Sequence, residues 1–232
     1  SSQPTFEEFA RVAADARVAG MLSGKAGIVN VHLGDSPRKI DLIQRVIHET
    51  EIPASQFLPT HVNRNTALFD ACLEFAKEGG TIDFTGNEDI DAWEAISDEV
   101  RVCKGIRRLL DLGVPSDRFT ISSDGQGSLP VFDENGNYQG LGIGKASCLL
   151  KEIRECVQTE GIPLEIALKG ITSNPASILK LGAKGRLQPG FDADLCLLTA
   201  DTLALDTGIA KGRCMVLHGK QKVFGTFEAA GA

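Results

Sequence analysis

Residues 24–36 read GKAGIVNVHLGDS, and this stretch decides the class of fold. Its apolar run over 26–33 is rich in β-branched residues and is bounded by glycines, which is typical of a buried strand. Apolar positions recur at helical spacing before this run, over 6–20, and after it, over 38–49. The chain therefore begins as an alternation of helices and strands.

The same alternation continues along the first two thirds of the chain. The apolar patterns predict further strands at 56–62, 81–85 and 118–122 and further helices at 66–78, 97–112 and 145–159. Strands that alternate with helices run parallel and are joined by right-handed crossovers. The pattern predicts an α/β fold, and its spacing suits half of a (β/α)8 barrel; an open, doubly wound sheet is the alternative.

The pattern changes after residue 160. Two short helices are expected over 163–182, followed by a turn that leads into a strand and by a hairpin around His218-Gly219. We therefore expect the barrel half to span residues 1–188 and the closing strands of a separate small β domain to span 189–232. The stretch 123–144 is expected to be a long loop in which Asn135-Gly136 is a hairpin-turn signal.

The composition excludes several classes of partner. Lys and Arg number 24 against 31 Asp and Glu, so the net charge of −7 disfavours binding to nucleic acid or to an anionic membrane. No apolar stretch reaches the roughly 18 residues of a membrane span, and the first residues do not resemble a signal peptide. The 6 cysteines form no C-x-x-C pair, which favours buried thiols in a reducing compartment. We expect a cytoplasmic protein.

Polar side chains end three of the predicted strands. His32 closes the first strand, His61 the second and Asp124 the fourth, so in a parallel array all three lie at the same edge of the sheet. Two imidazoles and a carboxylate form a ligand set that zinc accepts, although each residue alone is also a common polar end of a strand. Arg64 can bind a carboxylate with two hydrogen bonds, and Ser128 lies in a turn flanked by glycine.

Five segments together resemble a known family of enzymes. They are GKAGIVNVHLGDS (24–36), LPTHVNRN (58–65), EFAKEGGTID (74–83), SSDGQGS (122–128) and GRLQPGFDADLCLLT (185–199). They resemble the isoaspartyl (β-aspartyl) dipeptidases of the amidohydrolase superfamily, and the similarity runs from about residue 5 to 228. That family has a (β/α)8 barrel with a small β-sandwich, binds two zinc ions and releases β-linked aspartate from dipeptides. The resemblance implies the same fold and the same reaction here.

The resemblance also implies a role for each candidate residue. His32 and His61 match the zinc-binding histidines of the fifth and sixth barrel strands. Asp124 matches the aspartate of the eighth strand, which binds the other zinc and acts as general base and acid. Arg64 and Ser128 match residues that bind the carboxylate of the substrate.

The sequence departs from the family because it matches the C-terminal portion only. The HxH pair, the metal-bridging lysine and further substrate-binding residues of the family lie upstream of the matched part. We therefore expect an incomplete zinc site in this chain, little activity of the chain alone, and association with an N-terminal half or with further copies of itself. The alternatives are a non-catalytic half-barrel and another cyclic-amide hydrolase, such as a dihydroorotase or hydantoinase; Arg64 and Ser128 argue against the latter.

Overall fold

The structure, a computed structural model, describes residues 3–88, 90–94, 97–133 and 137–225. By its internal contacts the chain divides into the units Ser1–Lys180 and Leu181–Ala232. The assignment of residues 1–188 to a barrel half and of 189–232 to a small β domain stays a prediction.

A parallel sheet forms the centre of the first unit. Its four strands are β1 (Val29–His32), β2 (Phe57–Thr60), β3 (Ile82–Thr85) and β4 (Phe119–Ser122). Each strand pairs in parallel with the next, and their order in the sheet is β1-β2-β3-β4. The prediction of an α/β fold with parallel strands is confirmed. A doubly wound sheet reverses its strand order at a switch point, whereas the order of these four strands follows the chain.

Helices connect and flank these strands. They are α1 (Phe6–Ser23), α2 (Asp41–Glu49), α3 (Thr66–Lys77), α4 (Ile90–Glu94), α5 (Val102–Asp111), α6 (Cys148–Gln158), α7 (Leu164–Ala167) and α8 (Ser173–Ile178), with 3-10 turns at Ala54–Gln56 and Leu168–Ile171. The start of α1 is fixed by a capping box, in which Thr5 and Glu8 each accept a hydrogen bond from the backbone N–H of the other. Asn65 caps α3 by accepting from the Leu68 N–H at 2.8 Å. None of the described helices is long and apolar enough to cross a membrane.

The helix predicted over 97–112 is wrong in its first part, because α5 begins only at Val102. Residues 97–101 are not helical, and the Val100 N–H donates to the Asn63 carbonyl at 2.8 Å. A backbone donor used in this contact is not available to an earlier helical turn. The segment instead runs along the carboxyl edge of the sheet.

The long loop predicted over 123–144 contains regular structure. Strands β5 (Ser128–Phe132) and β6 (Tyr138–Ile143) pair antiparallel within it. The turn signal at Asn135-Gly136 lies outside the described residues. The antiparallel pair joins the end of β4 to the start of α6, so it follows directly on the predicted site residues.

Large apolar side chains from the sheet and the helices share one core. The largest that are fully buried are Phe57, Phe69, Phe75, Phe84, Phe119, Ile40, Ile43, Leu68, Leu73, Ile82, Ile106 and Leu109. The rings of Phe84 on β3 and Phe69 on α3 lie 5.6 Å apart between their centroids. Helix α5 approaches both rings at Gly105, where a Cβ would lie 2.5 Å from Phe84 Cε1 and 3.3 Å from Phe69 Cζ. The core therefore needs a residue without a side chain at this position.

We expect Gly105→Ala to destabilise the protein. The change should lower the free energy of unfolding by about 1–3 kcal/mol, because the added methyl group overpacks the core by more than the better helix propensity of alanine offsets. Urea unfolding measures the difference. Gly182→Ala is the control, since nothing lies within 4 Å of a Cβ there, and it should change the free energy of unfolding by less than about 0.5 kcal/mol. Equal effects in the two variants would contradict the packing described for Gly105.

The second unit contains an antiparallel sheet in the order β10-β9-β8-β7. Its strands are β7 (Leu195–Leu198), β8 (Leu205–Ala210), β9 (Arg213–Leu217) and β10 (Lys220–Gln221). The hairpin expected around His218-Gly219 is present between β9 and β10. Both turn residues have positive φ values, 51° and 69°, as a two-residue hairpin turn requires.

Candidate active site

Two histidines predicted to share the carboxyl edge of the sheet are in contact there. His32 is the last residue of β1, and His61 follows the last residue of β2. Atom Nδ1 of His32 lies 3.1 Å from Nε2 of His61, and the two rings meet edge to face. The parallel pairing of β1 with β2 explains this contact, because His32 is in register with Thr60, the residue before His61.

His61 is buried and held on both ring nitrogens. Its Nδ1 lies 2.7 Å from the hydroxyl of Thr85, the last residue of β3, and 8% of the residue is exposed. Burial and then the charge of Arg64 lower the pKa of His61, whereas the carboxylates of Asp124 and Asp83 act in the opposite direction. The imidazole is therefore neutral at pH 7, which is the form that binds a metal ion.

The histidine pair has the spacing of two ligands of one metal ion. Two nitrogens bound to a tetrahedral zinc at about 2.0–2.1 Å lie roughly 3.4 Å apart, close to the separation between His32 and His61. The hydroxyl of Thr85 holds the other nitrogen of His61, as the outer partner of a metal-bound histidine does. Within the described ranges no group of three or more His, Cys, Asp or Glu side chains is arranged to hold a metal ion. The geometry therefore fits zinc at two ligand positions, those of His32 and His61.

Asp124 lies in a tight turn that follows β4. Its φ of 45° is left-handed, and its carbonyl accepts from the Gly127 N–H at 2.8 Å. A Cβ at Gly127 would lie 2.7 Å from that carbonyl oxygen, and one at Gly144 would lie 2.8 Å from it. Glycine is needed at both positions because Asp124 is packed between them. Gly127 of SSDGQGS and Gly144, which follows β6, therefore fix the backbone position of Asp124.

A cavity of about 550 Å³ lies at this edge of the sheet. It is lined by four of the five predicted site residues, namely His61, Arg64, Asp124 and Ser128. His32 is not among the lining residues but lies against His61. The side chain of Arg64 is 42% exposed, and its Nη1 lies 3.9 Å from the carboxylate of Asp35, an exposed contact that a bound anion can replace. The roles of these residues stay predictions.

Three further lining residues were not singled out from the sequence. Asn63 is 1% exposed; its Oδ1 accepts from the Thr85 N–H at 2.9 Å, and its Nδ2 donates to the Thr85 carbonyl at 3.0 Å and to Glu99 Oε1 at 3.3 Å. Burial raises the pKa of Glu99, while Arg64 and a hydrogen bond from the side chain of Asn87 lower it. Thr85 ends a strand, so the reasoning that selected the histidines applies to it. Glu99 was hidden by the wrong helix over 97–112.

A buried carboxylate ties the strands together beneath the cavity. Asp83 on β3 is 4% exposed and accepts from the hydroxyls of Thr60 at 2.5 Å, Thr120 at 2.5 Å and Ser122 at 2.6 Å. Thr60 precedes His61, and Ser122 lies two residues before Asp124. Asp83 thus fixes the ends of β2 and β4 that carry two candidate site residues. A single charged residue within a buried strand is the signal that could have indicated it.

Comparison with known proteins gives a family and several relatives. The amidohydrolase family profile matches residues 29–216. A solved structure of β-aspartyl dipeptidase from Fervidobacterium islandicum, in complex with β-Asp-Leu, is 43% identical with a TM-score of 0.84 and is matched over 98% of this chain and 58% of its own. A deacetylase from Brucella anthropi is 26% identical over 202 residues, 82% of this chain and 47% of the relative.

Zinc is present in a more distant structural relative. Atrazine chlorohydrolase from Arthrobacter aurescens, solved with zinc, matches 95% of this chain and 49% of its own at 15% identity and a TM-score of 0.50, which is a similarity of fold alone. The chain thus spans about half the length of the relatives that it matches.

Proposed function

Because this chain belongs to the amidohydrolase family, we propose that it supplies part of a zinc-dependent active site that hydrolyses β-aspartyl (isoaspartyl) dipeptides. The observation that carries the proposal is that His61, Arg64, Asp124 and Ser128 line the same cavity. This lining supports the proposal because it combines groups suited to an amide with groups suited to a carboxylate. The 43% identity with a dipeptidase solved with β-Asp-Leu supports this choice of substrate.

The residues at the edge of the sheet divide into metal ligands and acid–base groups. His32 and His61 would hold one zinc ion, and Asp124 would bind a second. When bound, zinc supplies a Lewis acid that polarises the carbonyl of the scissile amide. Asp124 would take up the proton of the attacking water and pass it to the leaving amine, which is the role of a general base and acid.

Two further residues would bind and orient the substrate. A β-aspartyl dipeptide keeps a free α-carboxylate on its aspartyl residue. The guanidinium of Arg64 suits this group, because it can form two parallel hydrogen bonds with a carboxylate. Ser128 lines the same cavity, and its hydroxyl can donate a third. The dipeptide would thereby be held with its side-chain amide toward Asp124.

We also propose that β1 to β4 correspond to the fifth to eighth strands of a (β/α)8 barrel, and that residues 189–232 form strands of a small β-sandwich. The strand order, which follows the chain without reversal, supports the barrel over a doubly wound sheet. In this arrangement an N-terminal half supplies the remaining metal ligands, by association or within a homo-oligomer. A cytoplasmic location stays a prediction.

Hydrolysis of β-Asp-Leu is the experiment that tests the proposal. The chain is assayed with zinc and bicarbonate, first alone and then with the N-terminal part of the Fervidobacterium enzyme as a second polypeptide. We expect hydrolysis only in the combined sample, at least about 100-fold above either part, because both halves contribute ligands. Dihydroorotate and an N-acetylated amino acid serve as comparison substrates. No hydrolysis in any mixture would favour the non-catalytic half-barrel, and turnover of a comparison substrate alone would favour another amidohydrolase activity.

A further inference from the structure

A buried carboxyl lies behind the cavity and is not used by the proposed reaction. Glu152 on α6 is 2% exposed, and its Oε1 accepts a hydrogen bond from the backbone N–H of Asn87 at 2.9 Å. Asn87 lies two residues after the end of β3 and lines the cavity. Glu152 is therefore linked to the cavity wall through the segment formed by residues 86–88, here named the post-β3 segment.

Two further contacts hold the post-β3 segment against the first turns of α6. The backbone of Gly86 packs directly on the helix, because a Cβ there would lie 3.1 Å from both Cys148 Sγ and Glu152 Cγ. The carbonyl of Glu88 accepts from Lys151 Nζ at 2.7 Å. The Gly86 N–H also continues the pairing with β4. The position of the segment is thus set jointly by the sheet and by α6.

The side chain of Asn87 extends this link toward the site. It forms a hydrogen bond with the carboxyl of Glu99, which also accepts from Asn63 Nδ2 at 3.3 Å. Glu99 and Arg64 line the same cavity, and the charge of Arg64 acts to lower the pKa of Glu99. A displacement of Asn87 would therefore alter the wall beside the proposed carboxylate-binding residue.

We propose that Glu152 is a positioning residue for substrate binding, which holds the Asn87 amide and thereby fixes the cavity wall formed by Asn87 and Glu99. The proposal rests on the proposed function, since its effect is read out on β-Asp-Leu. Glu152 does not reach the cavity itself, so it acts through Asn87. Removing its acceptor oxygen should weaken substrate and transition-state binding equally, because the wall adjoins Arg64, the proposed carboxylate-binding residue.

The hydrogen bond of Glu152 can be tested separately from the charge and the packing of its side chain. Burial raises its pKa to about 7; the carboxylates of Glu155 and Glu99 add to this effect, while the Asn87 N–H and Lys151 oppose it. An amide side chain keeps an acceptor oxygen without the cost of burying a charge. A leucine side chain fills similar space but leaves the Asn87 N–H without its partner. The two substitutions therefore separate the hydrogen bond from the charge and from packing.

The test compares Glu152→Leu with Glu152→Gln in the combined sample that hydrolyses β-Asp-Leu. We expect KM to rise at least tenfold in Glu152→Leu with kcat within threefold, and both constants to stay within twofold in Glu152→Gln. Glu155→Leu is the control for the loss of a carboxylate on the same helix, since Glu155 contacts Arg101 and Lys151 and is linked to the post-β3 segment only through Lys151; its KM should stay within twofold. An unchanged KM in a folded Glu152→Leu protein, or equal rises in Glu152→Leu and Glu155→Leu, would overturn the proposal.

Hydrogen exchange at the Asn87 amide separates this proposal from the proposed function. Exchange should be at least tenfold faster in Glu152→Leu than in the wild type, whether or not any dipeptide is hydrolysed. Unchanged exchange would overturn the positioning role even if the enzyme is a dipeptidase. If Glu152→Leu does not fold, Gly86→Ala displaces the same segment with Glu152 intact and should raise KM in the same way; an unchanged KM in that variant would also refute the proposal.

Discussion

Asp124→Asn is expected to abolish hydrolysis of β-Asp-Leu while leaving the fold intact. The amide cannot take up a proton from water or deliver one to the leaving amine, and the loss of a general acid–base group costs about 10²–10⁴-fold in rate. The loss of one metal-binding carboxylate adds to this effect, so a decrease of about 10³-fold or more in kcat is expected. The decrease is measured by steady-state hydrolysis in the combined sample of both halves.

The fold should tolerate this substitution for a local reason. Asn adopts the left-handed conformation as readily as Asp, and the φ of residue 124 is 45°. Gly144 packs on the backbone carbonyl of residue 124, which the substitution keeps, and Gly127 packs on that carbonyl and on the carboxyl group, which an amide of the same shape replaces. The melting temperature should therefore change by less than about 3 °C, which corresponds to well under 1 kcal/mol.

Asp98→Asn is the matched control for this prediction. Asp98 lines the same cavity, but its carboxylate accepts from the backbone N–H and the hydroxyl of Thr66 at the start of α3. An amide oxygen can keep one of these bonds, so kcat should stay within threefold. Turnover of Asp124→Asn within tenfold of the wild type would refute the catalytic role of Asp124. Equal losses in both variants would show that the charge of the cavity matters, and not a particular carboxylate.

The residues at the carboxyl edge of the sheet were easier to predict from the sequence than the residues around them. His32, His61 and Asp124 could be placed together because the ends of parallel strands share one edge, a rule that needs only the strand positions. The contact between the histidines follows from the register of β1 with β2, in which His32 is opposite Thr60. That register depends on the packing of the whole sheet, which no local pattern encodes.

The residues that the sequence missed share a physical cause. Glu99 was assigned to a helix because its neighbours have helical spacing, yet the Val100 N–H is taken by the carbonyl of Asn63, 37 residues earlier. Glu152 has the pattern of an ordinary charged helix residue, and its burial arises from the close approach of Gly86 to α6. Such long-range contacts override local periodicity. The chemistry of the side chains was enough to predict the candidate site residues, whereas Glu99 and Glu152 could not be predicted in this way.

Substitution of either histidine of the pair should remove zinc and activity together. In His61→Gln, one nitrogen ligand is lost along with the contact to Thr85, and His32→Gln removes the facing nitrogen. The loss of a metal ligand costs far more than the 10–100-fold that the loss of an outer partner costs, so we expect at least about 10³-fold lower turnover. Zinc bound per chain, measured by elemental analysis after dialysis, should fall in parallel.

His48→Gln is the control for this prediction, because it removes a histidine outside the candidate site. His48 lies on α2, and its Nε2 is 3.4 Å from a carboxyl oxygen of Glu78 in an exposed contact, so its loss should change neither zinc content nor rate by more than twofold. A variant of His32 or His61 that kept its zinc but lost turnover would place that histidine among the substrate-binding groups. A variant that kept both would show that the 3.1 Å contact between the rings is structural. The paired readout of metal and rate separates these roles, because the loss of a metal ligand should lower zinc content and turnover together.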